Sequence, residues 1–268
     1  AIENARLVRD LRAHTRRLEK AYEELKDADK LKDDLIQNVS HELRTPLTFI
    51  LGYVELLLAG DLGPLSEGHL KALEVVRRKG QSLTKLVNDI MTLQWLQGGG
   101  LDKRPVLLNG LLAQTAQAGG IAAENAGLKV LVDVPDHDVM MDIDEERIGQ
   151  VLDNLLNNAI KFSLQGGEIV LRLRDLDDEV QIEVQDSGIG IPADKIDKVF
   201  DRFYQVDAGL TRRFSGMGLG LAICREIMEV HGGKIWATSD ACQGSRFIFS
   251  LPKIAAPTQV TVTGRSKP

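Results

Sequence analysis

Leu7, His14, Ala21, Ala28 and Leu35 recur every seven residues, and Leu11, Leu18, Leu25, Lys32 and Val39 form a second set offset by four. Two apolar stripes held in phase over about five heptads describe a helix that buries one seam against a partner. The pattern predicts a parallel helical dimer. His14 and Lys32 interrupt the seam with polar groups, which fix register or mark a marginally stable stretch. Carried forward, the count sets His41 beside the seam, where a helix residue stays reachable by a second domain.

The helix is expected to continue through Pro46, whose missing N–H and ring weaken or bend it there, and to end near Ala59. Gly60-Asp-Leu-Gly-Pro64 breaks it, and a second amphipathic helix is expected from about Ser66 to Gln97. Two antiparallel helices per chain, doubled, make a four-helix bundle. Gly98-Gly-Gly100 reads as a flexible hinge.

Beyond it the texture changes. Lys129 to Val134, Glu168 to Arg174, Val180 to Gln185, Lys234 to Thr238 and Ser245 to Leu251 alternate apolar and polar residues as strands do. Helices are expected at Leu107 to Ala126, Asp144 to Phe162 and Leu219 to His231. The mixture predicts an α/β sandwich with helices packed on one sheet. The domain reading is a signalling coiled coil at 1–33, a helical-hairpin domain at 34–98, an α/β domain at 99–254 and a disordered tail at 255–268.

With 268 residues and 43% hydrophobic composition, the chain has enough apolar surface for a substantial core and an elongated second unit. A net charge of −6 with acids and bases interleaved argues against nucleic acid as a ligand. Cys224 and Cys242 fit no metal spacing and read as reduced, buried thiols of a cytoplasmic protein. The longest apolar stretch, Phe49 to Ala59, is short and contains Glu55, so no membrane span is expected. Ala1 opens directly on a helical pattern with no leader-like segment, as a fragment of a longer protein would; membrane attachment of that longer protein stays open.

Four constellations carry chemistry. In Ser40-His41-Glu42-Leu43-Arg44-Thr45-Pro46, a neutral imidazole has a lone pair able to attack phosphorus, Glu42 can take or orient its proton, and Thr45 shares the His41 face. By itself such a pair is usually no more than a solvated surface pair. Asn154, Asn158 and Lys161 fall in one stripe of the helix ending at Phe162, beside an apolar stripe of Ile148, Leu152, Leu155, Ala159 and Phe162. Amide oxygens suit Mg²⁺ and lysine suits phosphate, although an ordinary polar face looks the same. Asp186-Ser-Gly188-Ile-Gly190 follows a strand; its carboxylate can accept from an exocyclic amine such as adenine N6, and its glycines let backbone approach a planar base. Gly216-Met-Gly218-Leu-Gly220 opens a helix, whose free N–H groups and dipole suit phosphate. The intervening Val199 to Ser215 is too polar and irregular for a regular element, and its aromatics suit a lid.

In this order and spacing the four motifs, with Phe200 to Phe203 between the last two, resemble the sensor histidine kinases of two-component signalling over roughly residues 34 to 253. His41 to Pro46 resembles the phosphoacceptor box, Asn154 to Lys161 the N box, Asp186 to Gly190 and Gly216 to Gly220 the two glycine boxes, and Phe200 to Phe203 the F box. Gly232-Gly-Lys-Ile-Trp236 and Gly244-Ser-Arg-Phe247 are similar to the end of the same domain.

The resemblance implies a Bergerat-type ATP-binding sandwich joined to a dimeric helical bundle. It implies autophosphorylation of His41 with Glu42 as general base, then transfer to an aspartate of a response-regulator receiver domain. It gives Thr45 the position that orients water for dephosphorylating the partner. ATP and Mg²⁺ are the implied cofactors. Asn158 is the implied metal ligand, and Asn154, Lys161, Phe162, Asp186, Gly188, Gly190, Gly216, Gly218 and Gly220 complete the nucleotide set. Gln205 departs from the pattern where relatives carry Arg, which leaves Arg202, Arg212 or Arg213 to supply positive charge. Ala1 to Leu7 resembles the last helix of GAF domains, implying an upstream sensor. The competing readings are a dimeric nucleotide-binding scaffold without kinase activity and an ATPase clamp of the wider superfamily; the latter has no need of the segment around His41.

Overall fold

The computed structural model describes residues 2–98, 100–163, 166–206, 218–239 and 244–253. Gly99, Gly216, Cys242, Arg212, Arg213 and the tail expected from 255 onward lie outside the described residues, as do most side chains of the N-terminal seam. The chain divides into two compact units, Ala1–Gln97 and Gly98–Pro268.

The first unit is a helical hairpin of α1 (Ile2–Ala59) and α2 (Glu67–Gly98). α1 runs unbroken through Pro46. Because proline has no N–H, the Glu42 carbonyl one turn back lacks its helical donor. Gly60 and Gly63 make the turn with φ of 85° and 108°, a left-handed conformation natural to glycine. Ser66 Oγ then accepts from the His69 N–H at 3.4 Å, capping α2.

Leu47 and Val54 of α1 and Val87 and Leu96 of α2 are buried. Gly80 gives the Leu51 side chain its room, since a Cβ there would sit 2.6 Å from Leu51 Cδ2. Arg44 reaches across to Asn88 Oδ1 and Met91 Sδ, both at 3.0 Å. On the faces turned away, Phe49, Tyr53 and Leu56 of α1 and Val75, Val76 and Leu83 of α2 stay exposed. No described helix is long and apolar enough to cross a membrane.

The second unit is a five-stranded sheet under three helices. β2 (Lys129–Asp133), β4 (Glu168–Asp175), β5 (Glu179–Gln185), β6 (Lys234–Ser239) and β7 (Ser245–Pro252) lie in the order β2-β4-β5-β7-β6. Among the described strands of this sheet only the β2–β4 pair is parallel. Burial alternates along β4 and β5, so Ile169, Leu171, Val180, Ile182 and Val184 point to one face, joined by Phe247 and Phe249 of β7. α3 (Leu108–Asn125), α4 (Glu145–Phe162) and α5 (Gly220–Val230) cover that face with Leu112, Ile148, Leu152, Leu155, Ile223 and Ile227, all buried.

Two features were not expected. β1 (Arg104–Leu107) and β3 (Met140–Ile143) form a separate antiparallel ribbon. The segment read as too irregular for an element starts in the 3₁₀ turn Asp197–Phe200, anchored by buried Val199 and Phe200; the Phe200 ring meets Phe247 edge-on at 6.2 Å.

Candidate functional site: an exposed histidine and a glycine-lined carboxylate

On α1 the positions Ser40, Arg44 and Leu47 turn toward α2, and the neighbouring stripe of His41, Thr45 and Thr48 faces solvent. His41 and its neighbour Glu42 are exposed. Thr45 Oγ1 donates to the His41 carbonyl at 3.4 Å, and Thr48 Oγ1 to the Arg44 carbonyl at 2.9 Å. The imidazole therefore stands on a backbone tied inward by Arg44, with its ring open to approach.

In the second unit the site is built by α4, the β5–β7 edge and the start of α5. α4 opens with Asp144 as N-cap, whose Oδ1 accepts from the Arg147 N–H at 3.2 Å, with Glu145 and Glu146 in the first turn. Lys161 stands in the last turn, so charge opposes the helix dipole at both ends. Along this helix Asn154 is buried and Asn158 and Lys161 are half-buried. Asn154 faces the start of α5, Nδ2 donating to the Gly220 carbonyl at 3.5 Å. A Cβ on Gly220 would lie 3.4 Å from Asn154 Oδ1, so glycine keeps this approach close. Asn154 thus belongs to a helix–helix contact rather than to an open polar stripe with Asn158 and Lys161. Phe162, expected to face the sheet, is half-buried with Lys161 Nζ 4.8 Å from its ring centre.

Asp186 follows β5 and is 5% exposed. Its Oδ1 accepts from Gly188 N–H at 2.8 Å and Ser245 N–H at 3.2 Å. Both bonds use one oxygen, so among the described residues Oδ2 is left to take a donor such as an amine. Burial pushes this carboxyl above its ordinary value, and the two backbone donors partly hold it down.

The loop is packed too tightly for side chains. A Cβ on Gly188 would overlap the Phe162 carbonyl oxygen and lie 2.7 Å from Asp186 Oδ1. Ser163 and Gly188 form an isolated β-bridge there, and Ile189 N–H reaches the Phe162 carbonyl at 3.3 Å. A Cβ on Gly244 would overlap the Asp186 carbonyl oxygen. Gly190 has φ of 73°. Gly218, with φ of 70°, packs on the Phe203–Tyr204 backbone, and its carbonyl accepts from Phe203 N–H at 2.9 Å. Phe203 itself adopts φ of 62°, a strained conformation for an aromatic residue.

Arg202, one of three candidates for positive charge near the nucleotide, pairs with Glu226 of α5 at 2.5 Å. Arg225 of α5 lies 4.9 Å over the Phe200 ring and 3.8 Å from Asp201. These contacts fasten residues 197–202 to α5. Sequence reasoning assigned no role to Ser245, although a Gly-Ser pair opening a strand was its visible signal. It also passed over Ser163, whose Oγ is buried without a partner among the described residues.

Two family models match the chain in order: His Kinase A (phospho-acceptor) domain over residues 31–99, and Histidine kinase-, DNA gyrase B-, and HSP90-like ATPase over residues 143–255. Sensor histidine kinase WalK of Bacillus subtilis (strain 168) is 36% identical over 238 residues, covering 84% of this chain and 37% of the relative. The crystal structure of full-length ShkA in complex with AMPPNP superposes with a TM-score of 0.69 at 30% identity, covering 84% of this chain and 47% of that one. The histidine kinase ThkA, in complex with the response regulator protein TrrA, gives 0.56 at 26% identity, covering 83% and 62%. The chain therefore spans less than two thirds of the length of each of these relatives. Helical hairpin, glycine-lined α/β sandwich and both matching domains in the same order place the chain among the sensor histidine kinases of two-component systems.

Proposed function

We propose that this chain is a kinase core that transfers the γ-phosphoryl group of ATP to His41 and then to an aspartate of a response-regulator receiver domain. The observation that carries the reading is Asp186: a buried carboxylate with one oxygen satisfied by backbone and the other available, in a loop too tight for side chains. Such a group suits the adenine amine, and guanine, with a carbonyl in that place, would leave it unpaired. The AMPPNP bound by the related ShkA supports nucleotide binding here.

The site residues fit MgATP. Asn158 offers a hard amide oxygen from a half-buried position, and a single protein oxygen suits Mg²⁺, which keeps waters and phosphates in its shell. Bound there through Asn158, the ion would neutralise phosphate charge. Lys161 adds a cation beyond it, Asn154 holds α5 in place, and Gly216, Gly218 and Gly220 let backbone N–H groups face the phosphates. Phe162, Gly188 and Gly190 complete the wall around the base.

In the transfer, the free ring nitrogen of His41 forms the new N–P bond as the bond from γ-phosphorus to the β–γ bridging oxygen breaks and ADP leaves. The ring proton passes to Glu42. Positioning and charge neutralisation supply most of the acceleration. Phosphohistidine then donates to the regulator's carboxylate, and we assign Thr45 to orienting water when the regulator is dephosphorylated. The response regulator bound by ThkA supports this class of partner.

The exposed apolar residues of the hairpin and the heptad repeat support a homodimer. The break between compact units at Gln97 and Gly98 supports separate phosphoacceptor (34–98) and ATP-binding (99–254) domains behind a coiled coil at 1–33. Relatives more than twice as long as the matched region support an upstream sensor in a longer protein, and we place the kinase core itself in the cytoplasm.

The test is incubation of the chain and its His41→Gln variant with γ-labelled ATP and Mg²⁺. Acid-labile, base-stable label on the parent and none on the variant is expected. A folded, ATP-binding parent that stays unlabelled would overturn the kinase reading.

A further inference from the structure

Three contacts pin α4 and α5 side by side in antiparallel register. At the nucleotide end Asn154 meets Gly220. Midway, Cys224 Sγ approaches the Val151 carbonyl at 3.9 Å. At the far end, roughly 15 Å from Asn154 at 1.5 Å per residue, Asp144 N–H donates to His231 Nε2 at 3.2 Å. Asp144 is also the N-cap of α4, and its Oδ2 accepts from Asp102 N–H at 3.2 Å. This buried joint ties together the start of α4, the end of α5 and the segment entering β1.

The hydrogen bonds fix the ring's state. Because Nε2 accepts, the proton sits on Nδ1, which donates to the Ile227 carbonyl at 2.8 Å. Protonating Nε2 would set one donor against another and break the link to α4.

We propose that neutral His231 is a positioning residue of the nucleotide site: it fixes the axial register of α5 on α4, and with it the stance of Gly218 and Gly220 toward Asn154 and Asn158. The proposal rests on the nucleotide-binding reading above. A close-packed helix pair does not absorb a slip at one end, so a loosened joint displaces the phosphate-facing turn at the other. His231 is 6% exposed. Burial holds its imidazolium form down, Lys103 adds to this, and the Ile227 carbonyl and Asp144 oppose it. The Arg104–Glu145 ion pair adds fixed charges at the same end of α4.

The sign follows. A histidine pKa depressed in the folded protein leaves the joint intact above the unfolded value of about 6.5 and loosens it as pH falls toward the folded value. The experiment measures the dissociation constant for MgATP on the whole chain in steps from near pH 8 down to the lowest pH at which the chain stays folded, for the parent, His231→Phe and His231→Gln. Phenylalanine keeps bulk without an acceptor; glutamine offers Oε1 as an acceptor that does not titrate in this range. Phe should weaken binding about tenfold near pH 8, as expected for one buried donor left unpaired. Gln should bind like the parent near pH 8 and lose less affinity than the parent on acidification, the titration of ATP itself being common to both.

A folded Phe variant that binds like the parent, or a Gln variant that loses as much affinity as the parent in acid, overturns the proposal. Should Phe fail to fold, the comparison of Gln with the parent decides. A parent that binds no ATP near pH 8 would instead sink the nucleotide-site reading, and this proposal with it.

Discussion

Replacing Asp186 with asparagine separates its two oxygens. The amide oxygen of Asn can keep both backbone donors, Gly188 N–H and Ser245 N–H, now satisfied by Oδ1. The fold should survive. Its Nδ2 then stands where Oδ2 would accept from the adenine amine of the proposed site, placing a donor against a donor. A hydrogen bond to a charged acceptor contributes about 1.5–3 kcal/mol, and the unpaired donors add to the loss, so a penalty near 3 kcal/mol, about a hundredfold in dissociation constant, is expected.

The carboxyl is held above its ordinary value by burial. Its ionised form is thus disfavoured in the folded state, and the stability it costs appears as pH rises through the folded pKa. Asp186→Asn should therefore melt no lower than the parent near pH 7. Inosine triphosphate, which carries a carbonyl in place of the amine, should bind the variant relatively better than ATP does. Calorimetric titration with both nucleotides, beside thermal denaturation, reads all three quantities. Unchanged ATP affinity in a folded variant would refute the acceptor role, and a collapsed fold would refute the division of labour between the two oxygens.

Other outcomes follow from the same packing. Gly188→Ala should lower ATP affinity roughly tenfold or more, because its Cβ overlaps the Phe162 carbonyl and crowds Asp186; titration calorimetry checks it. Leu155→Ala, at a fully buried position of α4, should cost about 2–5 kcal/mol, read as a lower denaturant midpoint. Asp89 of α2 is held high by burial, with Lys85 opposing. Asp89→Asn should accordingly raise the melting temperature near pH 7, with the gain vanishing below about pH 4, where both side chains are neutral.

α4 was legible because its signals agree: an Asp cap, acids in the first turn, lysine in the last, and Ile148, Leu152, Leu155 and Ala159 on one stripe. The long strands were legible for the same reason, as alternation tracks a sheet with one buried face. The β1–β3 ribbon was not, because each strand has four residues, one holds Pro105, and the pairing Arg104 with Ile143 spans a whole helix and strand. Helical spacing correctly gave the angle of Asn154 but not its neighbour; α5, more than sixty residues on, determines that it is buried. The choice among Arg202, Arg212 and Arg213 was open for a similar reason. Glu226, which engages Arg202, becomes its neighbour only through folding. His231 read as the end of a helix before two glycines, and its partner Asp144 lies 87 residues earlier.

The β5–β7 pairing sets Gln185 opposite Arg246 and Val184 opposite Phe247, so the two ends of the long excursion between them are clamped by strands. Chain closure grows only with the logarithm of length, about 0.6 kcal/mol per doubling. Residues can accordingly be gained or lost between the anchored parts of that excursion without moving Asp186 from Ser245. The architecture lets the length of that excursion vary while the Asp186 carboxylate stays where the sheet puts it.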